Sequence, residues 1–426
     1  MDEDKKKLEE QENSKEEHEE YSFLQETIKD ESKKGKRIFG VYLRLAGKAV
    51  VFGLVASLIF SASKPWFDGK LHQEKEVIMI PEEEKAEDEI EDDAGVEETA
   101  QEQNEKQLKD GNRLLTARGI EVMRSVVSIT ASATENEWIE DSYDKDNMVA
   151  GLIMAENSND ILIFAKTSQL NDESQVKVTF TDGKKYDGTL YKQDRNLGYG
   201  VYRVAKNDLG PSTVSQIRIA TLGSTSSIRQ GDIIIVAGNP FGYPKTVAFG
   251  NISVTGNEVS KVDGTYGVVN TTVAAAEGGT GVVANLNGDI IGIVDQDMTD
   301  KGAKNIVRAY SVADLKKKAE KLLNNESISY TGLNGIVVPE KIREEGLPEG
   351  IYIRHVDNES PAMAAGIQRG DIINRVNEEQ VSSVRALNNE IFKATPGTVV
   401  KLKGLRQGAG GEYVNIDFSL TVGTKE

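Results

Sequence analysis

Residues 273–293 read VAAAEGGTGVVANLNGDIIGI. The second half holds two short apolar runs, GVVAN and DIIGI, joined by a tight Asn-Gly turn, which predicts two strands of a hairpin. The first half, AAAEGGTG, has the form of a loop that presents a reactive side chain between two strands. At its centre, however, stand only glycines and a threonine. What this loop retains decides what the chain does.

Outward from this hairpin the same texture extends from about Leu114 to Ala313. Short apolar runs such as VMRSVVSITA, DILIFAK, IRIATL, DIIIVAGN and TVAFGNISVTG are separated by turn residues. Strands spaced roughly 8–12 residues apart predict a closed all-β sandwich or barrel. SVADLKKKAEKLLNN follows with apolar residues at helical spacing and predicts a closing helix. Residues 328–424 then read as a small α+β unit.

The N-terminal part differs. Residues 1–37 are almost wholly polar and predict a disordered, charged tail. From Ile38 to Ala62 only Arg44 and Lys48 carry charge, and about 20 mostly apolar residues suffice to span a bilayer. The basic cluster Lys33, Lys34, Lys36 and Arg37 precedes this segment. By the positive-inside rule the tail is expected in the cytoplasm and the remainder outside, with 38–62 as an uncleaved single-pass membrane anchor. Residues 63–112 are strongly acidic and read as a solvated spacer.

The net charge of −18 argues against nucleic acid as a partner. The absence of cysteine excludes disulfides, thiolate metal sites and a cysteine nucleophile. No metal and no cofactor is expected.

The runs ATLGSTSSIRQGDIIIVAGNPFG, VTFTDGKKYDGTLYKQDRNLGYGVYRV and NLNGDIIGI closely resemble, in order and spacing, the HtrA/DegP family of trypsin-like serine proteases. SPAMAAGIQRGDIINRVN resembles the PDZ domain that follows in that family. The resemblance implies a mainly β chain: a trypsin-like double β-barrel over 113–318 and a small α+β PDZ domain over 328–424, preceded by one transmembrane helix.

It also implies where a catalytic triad would stand. Counted back from Asn285, the serine position falls on Gly279. Counted back from Thr181, the histidine position falls on Ser168, with Thr167 as the fallback. The aspartate position falls on Gly198. No histidine lies between His72 and His355, so the protease-like region contains no imidazole base, which a serine hydroxyl needs to become a nucleophile. Thr280, one residue beyond Gly279, and a Ser168–Lys166 pair are the remaining candidates for unconventional chemistry. The expected reading is a pseudoprotease, with an active endopeptidase using a non-standard nucleophile, or a non-cleaving chaperone or scaffold, as alternatives.

A PDZ domain takes an extended peptide as an added strand and holds its terminal carboxylate in a backbone loop. By resemblance that loop is Tyr330, Thr331, Gly332 and Leu333, and Leu387 and Ile391 are candidates for the helical wall of the groove. The partners this implies are C-terminal or unfolded peptides in envelope protein quality control. A homotrimer, or a hetero-oligomer with an active paralogue, is the expected assembly.

Overall fold

The computed structural model describes residues 55, 100–131, 148–170, 175–298 and 305–426. The predicted tail and span (1–37 and 38–62), apart from residue 55, and the first part of the acidic segment lie outside the described residues. Among the described residues no helix is long and apolar enough to cross a membrane.

The end of the segment read as a spacer is instead helical. α1 (Ala100–Met123) is built from Glu, Gln, Lys, Leu and Ala, all good helix formers. Residues 104–114 are exposed, whereas Gly119, Val122 and Met123 are buried in its last turns. A Cβ on Gly119 would lie 2.7 Å from Val247 Cγ1, so glycine allows the helix to sit directly on the barrel wall.

Two six-stranded barrels follow. The first is closed by β1 (Val126–Ala131), β2 (Met148–Glu156), β3 (Asp160–Lys166), β4 (Gln175–Thr179), β5 (Lys185–Asp194) and β6 (Tyr199–Ala205), in the order 1-2-3-6-5-4. The short α2 (Pro211–Val214) leads across to the second. That barrel contains β7 (Ile233–Asn239), β8 (Thr246–Lys261), β9 (Gly264–Ala274), β10 (Thr280–Ala284), β11 (Ile290–Asp295) and β12 (Ile306–Ser311), in the order 10-11-12-9-8-7. Each barrel has its own interior core, including Ile129, Ile163 and Tyr202 in the first and Val236, Val283 and Val307 in the second. A third apolar cluster lies between them. There Phe164 and Tyr199 meet Ala237, Val282 and Ile293, and α3 (Val312–Leu323) covers one side with Leu315, Ala319 and Leu322.

Two expected strands are corrected. The run beginning at Val122 becomes strand only at Val126, because α1 continues to Met123. IRIATL forms no strand beyond a single bridge from Leu222 to Ile290. Its amides bond singly to other segments, Arg218 to Arg124 and Ala220 to Ile153, so no ladder develops.

The last unit is a sheet in the order β13 (Leu333–Val337), β14 (Ile351–Val356), β15 (Ile372–Val376), β17 (Val399–Gln407) and β18 (Tyr413–Thr421), with β16 (Glu379–Gln380) beside β15. Three short helices accompany it: α4 (Glu340–Glu344), α5 (Pro361–Ala364) and α6 (Val384–Lys393). Ser360 and Ser383 cap the N-termini of α5 and α6 through their hydroxyls. β13 is an edge strand. α6 packs on β13 and β15 and also reaches β9 of the second barrel.

Candidate functional site

The cleft between the barrels brings together two of the triad-equivalent positions. Gly198 closes the turn after Asp194, whose buried carboxylate accepts from Leu197 N at 3.0 Å while Gly198 N donates to Asp194 O. Gly198 has φ +80°, and a Cβ there would lie 3.4 Å from Ser168 Oγ. An aspartate at this position would thus meet a strained backbone.

The loop holding Gly279 has folded in on itself. Ala276 N donates to Pro240 O at 2.8 Å and Gly279 N donates to Ala276 O at 3.1 Å. A Cβ on Gly279 would lie 2.5 Å from Pro240 O, closer than real Cβ contacts. The position therefore lacks a side chain, has no room for one, and has spent its amide within the loop. Thr280 opens β10. Its hydroxyl is buried and accepts from Ala150 N at 2.8 Å, which ties the two barrels together.

Lys166 is equally committed. Its side chain is 6% exposed, and its ammonium lies 2.7 Å from Asp295 Oδ1 and 2.5 Å from Asp297 Oδ2. Tyr199 donates to Asp295 Oδ2 at 3.1 Å. Gln169 donates to Gly278 O at 3.2 Å and so links the Ser168 segment to the Gly279 loop. Burial opposes charge on Asp297, but the bond and charge of Lys166, with Gln169, hold its carboxyl below the usual carboxylate value. Sequence reasoning did not anticipate this network; its one local sign is a lysine ending the apolar run ILIFA within the strand DILIFAK.

The predicted peptide loop is occupied. β8 and β9 form a long hairpin that ends in the two-residue turn Val262–Asp263, with Asp263 at φ +52°, a conformation Asp tolerates better than most residues. The turn reaches the C-terminal sheet. Asp263 Oδ2 accepts from Thr331 N at 2.7 Å and Gly332 N at 2.8 Å, and Oδ1 accepts from Leu333 N at 3.3 Å and from the Thr331 hydroxyl. In return Asp263 N donates to Leu333 O at 2.8 Å. Burial pushes the Asp263 carboxyl up, against the four hydrogen bonds that favour its charge. Gly332 has φ +85°, and a Cβ there would lie 2.3 Å from Ser360 Cβ, so the loop conformation needs glycine.

Tyr330 is mostly buried, and its hydroxyl donates to Asp357 at 2.8 Å. Leu387 and Ile391 are each 2% exposed and sit in the core of the C-terminal unit beside Leu333, Ile353 and Phe418. Ile391 also borders a cavity of about 220 Å³ between the units, with Tyr266, Lys318, Arg385 and Asn388. His355 is exposed on β14 and bonds Asp357 at 3.1 Å.

Two closed barrels with a cleft between them, followed by this sheet, define a trypsin-fold domain joined to a PDZ domain. Residues 154–293 match the trypsin-like peptidase domain family and residues 322–418 the PDZ domain family. Curated serine endoproteases of the DegP, DegQ and HtrA type are among the proteins the chain is similar to. It is 26% identical over 284 residues to the periplasmic pH-dependent serine endoprotease DegQ of Escherichia coli K12, covering 64% of this chain and 60% of that one. It is 26% identical over 279 residues to the serine protease Do-like HtrA of Bacillus subtilis 168, covering 61% of each. Over 290 residues it is 28% identical to a probable periplasmic DegP-like endoprotease of Halomonas elongata, covering 66% of this chain and 57% of that one. The chain thus spans under two thirds of the length of these relatives. Its fold resembles that of the HtrA-type protease AlgW solved with a decapeptide, with TM-score 0.51 and 19% identity, covering 73% of this chain and 98% of that one.

Proposed function

We propose that this chain is a non-cleaving HtrA-like protein. It binds peptides through its PDZ domain, by their C-terminal carboxylates, outside a bacterial cell membrane to which residues 38–62 anchor it. The observation that carries this reading is the Gly279 loop. A side chain at Gly279 is blocked by Pro240 O, the Gly279 amide is turned inward, and no imidazole lies in the region. Hydrolysis of an amide by this fold needs a nucleophile, a base and oxyanion donors together. The Thr280 hydroxyl and the Lys166 ammonium, the other candidates, are each held in buried contacts that serve the barrel interface.

The peptide-binding half rests on the backbone donors of residues 331–333, which converge on one carboxylate, and on the position of β13 at the end of its sheet. The test is incubation of unfolded casein with the full chain and with its Ser168→Ala and Thr280→Ala variants, read by mass spectrometry. Casein should stay intact. Fragments produced by the native chain and lost in either variant would reinstate an active endopeptidase.

A further inference from the structure

The turn Val262–Asp263 does more than join two strands. A turn aspartate is ordinarily solvated, whereas Asp263 is 8% exposed, and four hydrogen bonds to its carboxylate come from Thr331, Gly332 and Leu333. A buried carboxylate is costly unless its lone pairs are satisfied, and here a loop more than sixty residues distant in sequence satisfies them. The backbone takes part as well. Asp263 N donates to the carbonyl of the first residue of β13, as an added strand would. One residue therefore presents a carboxylate and a strand-like N–H to the same loop, which are the two features a peptide's last residue offers.

We infer that Asp263 is an internal ligand of the PDZ carboxylate loop, and that a peptide with a free C-terminal carboxylate binds only by displacing the β8–β9 hairpin. This inference rests on the peptide-binding reading above. Space supports competition over coexistence: both carboxylate oxygens are taken up by the loop donors, and the hairpin and α6 are packed together where the rest of a peptide would run along β13. Arg385 on α6 reinforces the docked hairpin by bonding Glu258 of β8 at 2.7 Å and also Asp314 of α3. Lys318 sits behind the turn, 3.4 Å from Asp263 O.

Asp263→Gly and Asp263→Asn both tolerate the left-handed backbone, so each removes the charged plug while sparing the turn. The full chain and both variants, in mild detergent, are compared in two ways. Hydrogen exchange is followed at the amides of Thr331, Gly332 and Leu333. Fluorescence anisotropy is measured with a pool of labelled decapeptides whose last four residues are randomised, with the C-terminus free or amidated.

A plug that leaves the loop open a tenth of the time or less weakens apparent peptide affinity about tenfold or more. The variants should therefore bind the free-carboxylate pool at least ~10-fold more tightly than the native chain, exchange those amides faster, and ignore the amidated pool. Equal affinity and equal exchange in native and variant chains would overturn the internal ligand while leaving peptide binding in place. Binding by none of the three chains would sink the peptide-binding reading and the competition with it.

Discussion

Gly279 and Lys166 mark two ways in which single residues fix what the cleft can do. Restoring a hydroxyl with Gly279→Ser places a side chain against Pro240 O at about the distance built for its Cβ, 2.5 Å. The variant should lose ~1–3 kcal/mol of stability through overpacking and should react with a serine-directed fluorophosphonate no faster than the native chain. Labelling of the introduced hydroxyl would show that the loop can reopen. Lys166 is a buried cation shared by two carboxylates, so Lys166→Met leaves Asp295 buried without its counter-charge. The expected loss is about 3–5 kcal/mol in denaturant unfolding. Lys166→Met with Asp295→Asn should recover most of it, since the amide carbonyl that replaces the carboxylate can still accept from Tyr199 or from Asp297 N. Asp297 contributes a pH signature. Its carboxyl is depressed below 3.8 in the folded state, so its stabilisation is complete above the unfolded value and fades as pH falls through the folded one. The stability difference between the native chain and Asp297→Asn should be flat from neutral pH down to about pH 5 and shrink below about pH 4. A difference that grows towards acid would contradict this assignment.

At the scale of elements, apolar alternation carried most of the reading. GVVAN and DIIGI are the paired strands β10 and β11, and SVADLKKKAEKLLNN contains α3. Burial of one face of each strand imposes this pattern, so it is visible locally. α1 escaped because its charged first half hides a short buried stripe, Gly119, Val122 and Met123, which counts only once the barrel wall is known. IRIATL has the composition of a strand but lacks a neighbour in ladder register. The candidate site was legible in part for the same reason. Missing side chains at positions 198 and 279 can be read from a sequence, whereas the Lys166–Asp295–Asp297 network and the Asp263–Thr331 contact join residues far apart in the chain and have no local signature. Leu387 and Ile391 show the limit of helical spacing, which marks an apolar face without telling core from groove.

At the scale of the whole described molecule, the contacts that hold the PDZ unit to the barrels include the Asp263 turn, the Arg385 bridge, Phe392 of α6 under Lys321 of α3, and the final residues, where Arg195 N donates to Lys425 O at 2.8 Å and Lys192 meets Glu426 at 2.6 Å. Arg385 is 41% exposed, so its ion pairs are screened by solvent and salt. Arg385→Ala should cost under about 1 kcal/mol, yet should speed proteolysis of the segment between α3 and Ser329 at low salt, with the difference from the native chain disappearing near 1 M salt. An effect independent of salt would assign Arg385 a packing role instead. The helix before the first barrel has a consequence of its own. As a random coil, 24 residues would average roughly 27 Å end to end and point in any direction. As α1, whose last turn is pinned through Gly119, the same residues form a stiff rod of about 36 Å. Whatever precedes Ala100 is thus joined to the barrels by a lever arm, and a pull or a twist applied at its far end reaches the β7–β8 wall as a torque where a slack tether would absorb it.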